Sequence, residues 1–132
     1  MPTFYFRKLV RDKVLQRCID DPKVRTNYHT LTDAEYKAEL LAKIHEEAEE
    51  IPLLDEANDE VLSEIADVQA VIDSLIKGYG LTKEQIAEAQ SQKEVKNGAF
   101  DDRAYIESVE LDDDSEWVAI LREQPEKYEE AA

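Results

Sequence analysis

Cysteine is nearly absent from this sequence. The single thiol, Cys18, has no partner within the chain, so a fold held by internal disulfides is excluded. Glycine and proline are also scarce, at three and four residues of 132, which leaves little material for the many tight turns of an all-β architecture. Basic residues are in deficit: Lys and Arg number 16 against 32 Asp and Glu, a net charge of −16. A general nucleic-acid binder needs a basic footprint, and this chain lacks one. No apolar run reaches membrane length, and none at the N-terminus reaches the length of a signal peptide. The expectation is a soluble, cytoplasmic chain with no membrane and no nucleic-acid partner. No P-loop, dinucleotide-binding fingerprint or zinc spacing occurs, and His29 and His45 do not have the spacing of a metal pair.

What the chain has in quantity is helix-forming sequence punctuated by caps. At this length one domain is expected, with a core over residues 7–103 and an extension over 104–132. Residues 1–6 read as an extended lead-in. The spacing of Leu9, Val10, Val14 and Cys18, with Leu15 alongside, predicts a helix over residues 7–19, stopped by Asp20-Asp21-Pro22. Thr32-Asp33-Ala34-Glu35 is a capping box that opens a second helix, ended by Pro52. A short link leads to a third helix over residues 59–77, stopped by Gly78-Tyr79-Gly80, and so short a link favours antiparallel neighbours. A second capping box, Thr82-Lys83-Glu84-Gln85, starts a fourth helix that runs to Asn97-Gly98. Residues 105–111 alternate like a strand but also suit a helical turn. A last short helix is expected around Trp117, and residues 126–132 are expected to fray. The fold class is therefore all-α, a helical bundle.

Two acidic phrases on consecutive helices carry the chemistry: His45-Glu46-Glu47-Ala48-Glu49-Glu50 and Ser63-Glu64-Ile65-Ala66-Asp67. Residues three apart on a helix share a face, so Glu47 with Glu50 and Glu64 with Asp67 form two carboxylate pairs. In the second phrase, Val61, Val68, Val71 and Leu75 form the apolar stripe, and Glu64 lies within it. Asp67 is at its edge, roughly 60° around at about 100° per residue. In the first, Leu40, Leu41, Ile44, Ala48 and Ile51 are expected to face inward, with Glu47 on the border and Glu46 and Glu50 beside it. Carboxylates against a core are costly unless paired or metal-bound. With no matching cluster of bases, four convergent acids call for a hard divalent cation, Mg²⁺ or Mn²⁺. Lys43 lies one turn before Glu47 and suits either an i, i+4 ion pair or a phosphate contact. Cys18 suits the core better than a nucleophile's role, and Trp117 suits packing better than base stacking.

These residues resemble the all-α nucleoside triphosphate pyrophosphohydrolases, the MazG-like group that includes phosphoribosyl-ATP pyrophosphohydrolases. That group carries E-E-x-x-E followed on the next helix by E-x-x-D, matched here by Glu46-Glu47-Ala48-Glu49-Glu50 and Glu64-Ile65-Ala66-Asp67. Lys8-Leu9-Val10-Arg11-Asp12-Lys13 is similar to the K-L-V-R-D-K opening of one branch, and the stretch from Lys93 to Arg103 is similar to its K-x-x-K-G-G-F-x-x-R segment. The likeness spans residues 7–103. One departure is Asn97-Gly98-Ala99, where the family often has a glycine pair.

The resemblance implies that Glu47, Glu50, Glu64 and Asp67 bind Mg²⁺, with Glu46 orienting water and Glu46 and Glu47 serving catalysis. It implies substrate contacts for Arg11, Lys13, Lys93, Lys96 and Arg103, to which Lys43 is added from its position on the acidic face. The implied reaction cleaves the α–β phosphate linkage of a nucleoside triphosphate, and the implied assembly is a homodimer or homotetramer. The rival expectation is a non-catalytic acidic helical binding or scaffold protein. A carboxylate-bridged iron bundle is disfavoured, since no Glu-x-x-His pair occurs.

Overall fold

A computed structural model describes all 132 residues. It contains five α-helices and no strand: α1 Asp12–Asp20, α2 Asp33–Glu49, α3 Asp59–Gly78, α4 Lys83–Asn97 and α5 Trp117–Arg122. The chain divides into two compact units, Met1–Lys93 and Glu94–Ala132, and the division falls within α4.

The first helix begins later than its apolar spacing predicts. Arg7 has a left-handed backbone (φ 49°), which a right-handed helix cannot include. Residues 8–11 precede the helix, and it starts at Asp12, whose charge suits the positive end of the helix dipole. Leu9, Val10, Val14, Leu15 and Cys18 are all half-buried, as their spacing predicts.

Helix boundaries elsewhere follow from identifiable caps. At the start of α2, the Thr32 hydroxyl accepts from the Glu35 amide at 3.3 Å, and the Thr32 amide donates to Glu35 Oε1 at 3.0 Å. At the start of α3, Asn58 Oδ1 accepts from the Val61 amide at 2.9 Å. Its far end is a Schellman cap. The Leu81 amide donates to the Ile76 carbonyl at 3.0 Å, and the Gly80 amide to Lys77 at 2.9 Å. This geometry requires the positive φ of 69° at Gly80. The Thr82–Gln85 box that opens α4 is formed in both directions, at 2.8 and 3.1 Å.

Within the first unit, α2 and α3 are the helices in extended mutual contact. They run antiparallel, since Gly78 at the end of α3 lies against Tyr36 and Leu40 near the start of α2. Leu40, 4% exposed, is the one buried residue. Ile44 and Ile51 are half-buried, but Leu41 and Ala48, expected inside, are exposed. A single packed neighbour covers only a narrow stripe of α2, and a residue about 100° around from Leu40 falls outside it.

In the second unit, residues 105–111 form neither strand nor helix, and Tyr105 and Ile106 are exposed. A strand needs a partner for its backbone groups, and the chain has no other strand to offer. The short helix expected around Trp117 is present as α5, and Arg122 on it binds Glu130. No helix is long and apolar enough to cross a membrane.

Candidate metal centre

Antiparallel packing brings one carboxylate of α2 against two of α3. Oxygen atoms of Glu47, Glu64 and Asp67 lie within 4.8 Å of one another, and all three residues are half-buried. The i, i+3 spacing puts Glu64 and Asp67 on the same face, and Glu47 meets them from across the hairpin. The Glu64 Oε2 atom is sealed from solvent and has no hydrogen-bond partner. A buried carboxylate oxygen without a donor is costly, and a bound cation would satisfy it.

Bases absent from the two acidic phrases arrive from elsewhere, which corrects the expectation of a cluster without bases. Lys43 Nζ lies 3.3 Å from both Glu46 Oε2 and Glu47 Oε1, with its side chain 17% exposed. Lys8 Nζ donates to Glu46 Oε1 at 2.9 Å, and Arg11 Nη2 donates to Asp67 Oδ1 at 2.8 Å. Lys8 and Arg11 lie 38 and 56 residues from their partners, beyond the reach of any helical spacing rule. The hydrogen bond from Lys8, helped by Lys43, holds the Glu46 carboxyl below the usual carboxylate range. The same bond, with the attraction of Glu46, raises the Lys8 ammonium above its usual value.

Three of the four carboxylates expected to bind metal therefore converge, and the fourth does not join them. Glu50 is the C-terminal cap of α2, is exposed, and stands outside the group. Glu46 is held by lysines beside the group rather than within it. Among the expected substrate contacts, Lys43 and Arg11 are at the acids and ion-paired with them. Lys13 is exposed on α1 and Lys93 is exposed on α4. Lys96 and Arg103 are exposed residues of the second unit, Arg103 with a left-handed backbone (φ 55°). Lys8 is the participant that residue-by-residue reasoning missed. Its signal was its place at the head of the Lys8–Lys13 segment, three residues before Arg11.

Carboxylate oxygens alone make up the convergent group, a donor set suited to a hard cation such as Mg²⁺ or Mn²⁺. With the unpartnered Glu64 oxygen, the residues present fit such an ion. Compared with protein-family models, with curated proteins and with solved structures, the chain matches none.

Proposed function

We propose that this chain is a Mg²⁺-dependent nucleoside triphosphate pyrophosphohydrolase of the MazG-like kind, releasing a nucleoside monophosphate and pyrophosphate in the cytoplasm. The observation that carries the reading is the carboxylate trio of Glu47, Glu64 and Asp67 with its buried, unpartnered Glu64 oxygen. Those three residues would hold the ion, and Glu50 would complete the set by turning in from the surface at the end of α2. When bound, Mg²⁺ would screen the triphosphate charge and make a water a better nucleophile at neutral pH.

The chain's own residues then have separable tasks. Lys43 and Arg11, already beside the acids, exchange carboxylate partners for phosphate oxygens when substrate arrives. Lys13 and Lys93 are further phosphate contacts implied by the resemblance. Glu46, kept ionised by Lys8 and Lys43, is an acceptor that orients water. Ligands mounted on packed helices hold their spacing better than ligands on loops.

The exposed apolar residues of the hairpin support self-association. Leu41, Leu62 and Ile65 are 48%, 69% and 51% exposed, a large apolar surface for a helical hairpin whose one buried residue is Leu40. A second copy packed on this face would give each hairpin a core, as in a four-helix bundle. Ile65→Glu is expected to turn a dimer or tetramer into monomer by light scattering. Unchanged mass would remove this face from the assembly.

One observation favours the scaffold reading. Lys8, Arg11 and Lys43 neutralise much of the acidic charge with no metal. The two readings separate on pyrophosphate release from a panel of nucleoside triphosphates, with Mg²⁺ and with EDTA. Metal-dependent release, lost in Glu47→Gln and Glu64→Gln with the fold retained, supports the hydrolase. No turnover, and no change of melting temperature with Mg²⁺, supports the scaffold.

A further inference from the structure

The acidic group opens onto a cleft of about 330 Å³ in the first unit: Glu47 and Asp67 belong to both, and Lys43 lines the cleft beside them. The rest of that cleft has a different character. Leu9 and Val10 come from the segment before α1, Tyr36 and Leu40 from α2, and Val71 from α3. Neither a divalent cation nor an inorganic phosphate has any use for such a wall. A ligand that matches the whole cleft has an anionic end, for Lys43 and Arg11, and a flat, weakly polar body for the apolar side. The volume lies at the small end for ligand sites, room for one nucleoside-sized group. Tyr36 is the one aromatic residue of the wall, and an aromatic face is what a heteroaromatic ring stacks on.

We infer that this cleft receives the nucleoside part of the substrate, with the base against Tyr36, Leu9 and Val10 and the phosphates directed to the acidic group. The inference rests on reading that group as a pyrophosphohydrolase centre. Asp12 and Ser74 line the same cleft and are its hydrogen-bonding groups for sugar hydroxyls or base edges. Ala70, which also lines it, is the small residue that keeps the α3 side open.

The test is calorimetric binding to the full-length chain in Mg²⁺, using α,β-imido nucleoside triphosphates of the common bases and inorganic tripolyphosphate. The proteins are the parent, Ala70→Leu, Tyr36→Leu and Tyr36→Phe, each checked for folding by circular dichroism. The best nucleotide is expected to bind the parent about tenfold or more tighter than tripolyphosphate, the order of one base–aromatic stack. Ala70→Leu and Tyr36→Leu, which alter the cleft from different helices, should each remove most of that advantage and leave tripolyphosphate unchanged. Tyr36→Phe should keep it. Equal binding of nucleotide and tripolyphosphate, or a nucleotide preference that both Leu variants retain, would overturn the inference and leave the acidic centre standing. Binding of neither ligand would overturn both.

Discussion

Replacing Glu64 by Gln probes the acidic centre with nearly constant shape. In the parent, Glu64 has carboxylate oxygens of Glu47 and Asp67 within 4.8 Å. Two unit charges about 5 Å apart repel by roughly 1 kcal/mol in water and roughly 3 kcal/mol at an effective dielectric of about 20. Much of that field is cancelled, because Arg11 lies 2.8 Å from Asp67 and Lys43 lies 3.3 Å from Glu47. The net relief on removing the Glu64 charge is then about 1 kcal/mol, and the new amide can donate to either neighbour. For a chain of 132 residues, that raises the melting temperature by about 4 °C in EDTA. Saturating Mg²⁺ should reverse the order. A cation at about a hundred times its dissociation constant stabilises the folded parent by roughly 2.7 kcal/mol, while the variant, short of one ligand, gains much less. The assay is thermal melting of both proteins in EDTA and over a Mg²⁺ series. A variant that melts below the parent in EDTA would refute the repulsion argument. Equal gains from Mg²⁺ in the two proteins would show that Glu64 is not a ligand.

Other outcomes follow from the same geometry. Arg11→Ala frees Asp67 from an exposed ion pair of the kind worth about 0.2–1 kcal/mol, so Mg²⁺ alone should bind up to about fivefold tighter by calorimetry. Weaker Mg²⁺ binding would mean that Arg11 props Asp67 in place. Thr32→Ala and Asn58→Ala each remove a helix cap and should cost about 1 kcal/mol in urea unfolding. Gly80→Ala meets open space but a φ of 69°, so its cost of about 1 kcal/mol comes from backbone strain alone. The Glu35 carboxyl is held below its ordinary value of 4.5, chiefly by the Thr32 backbone amide and then by the Thr32 hydroxyl. A depressed carboxyl contributes stability that is present above its ordinary value and lost as pH falls through the lowered one. Acid titration of stability should therefore be shallower in Thr32→Ala than in the parent below about pH 4.5.

Local signals in the sequence carried most of the fold and part of the site. Thr32, Asn58, Gly80 and Thr82 mark helix ends through bonds to backbone groups within five residues, so the helices they bound are readable from sequence. The start of α1 was not readable, because periodic Leu9 and Val10 precede a helix that begins only at Asp12. What distinguishes them is Arg7's backbone and the long-range pairing of Lys8 and Arg11. The exposure of Leu41 was equally hidden, since it depends on how many helices pack on α2 and not on the amphipathic pattern. Within the site, Glu64 and Asp67 follow from helical spacing, and the arrival of Glu47 follows from an antiparallel hairpin. The position of Glu50 depends on where α2 ends. It ends at Glu49, so Glu50 stands at the cap and outside the carboxylate group.

The independent capping of α2 and α3 has a consequence for how this sequence can vary in length. Pro52 follows the end of α2, and Asn58 starts α3 through its own bond to Val61, so residues 53–57 fix neither helix. Those five positions can lengthen or shorten at small entropic cost while the carboxylates keep their places, because helix packing sets the distance across the hairpin. An insertion of one residue between Glu64 and Asp67 has no such freedom. It turns one carboxylate about 100° relative to the other and breaks the pair. Length variation among related chains is therefore expected between the two acidic phrases and never inside either one.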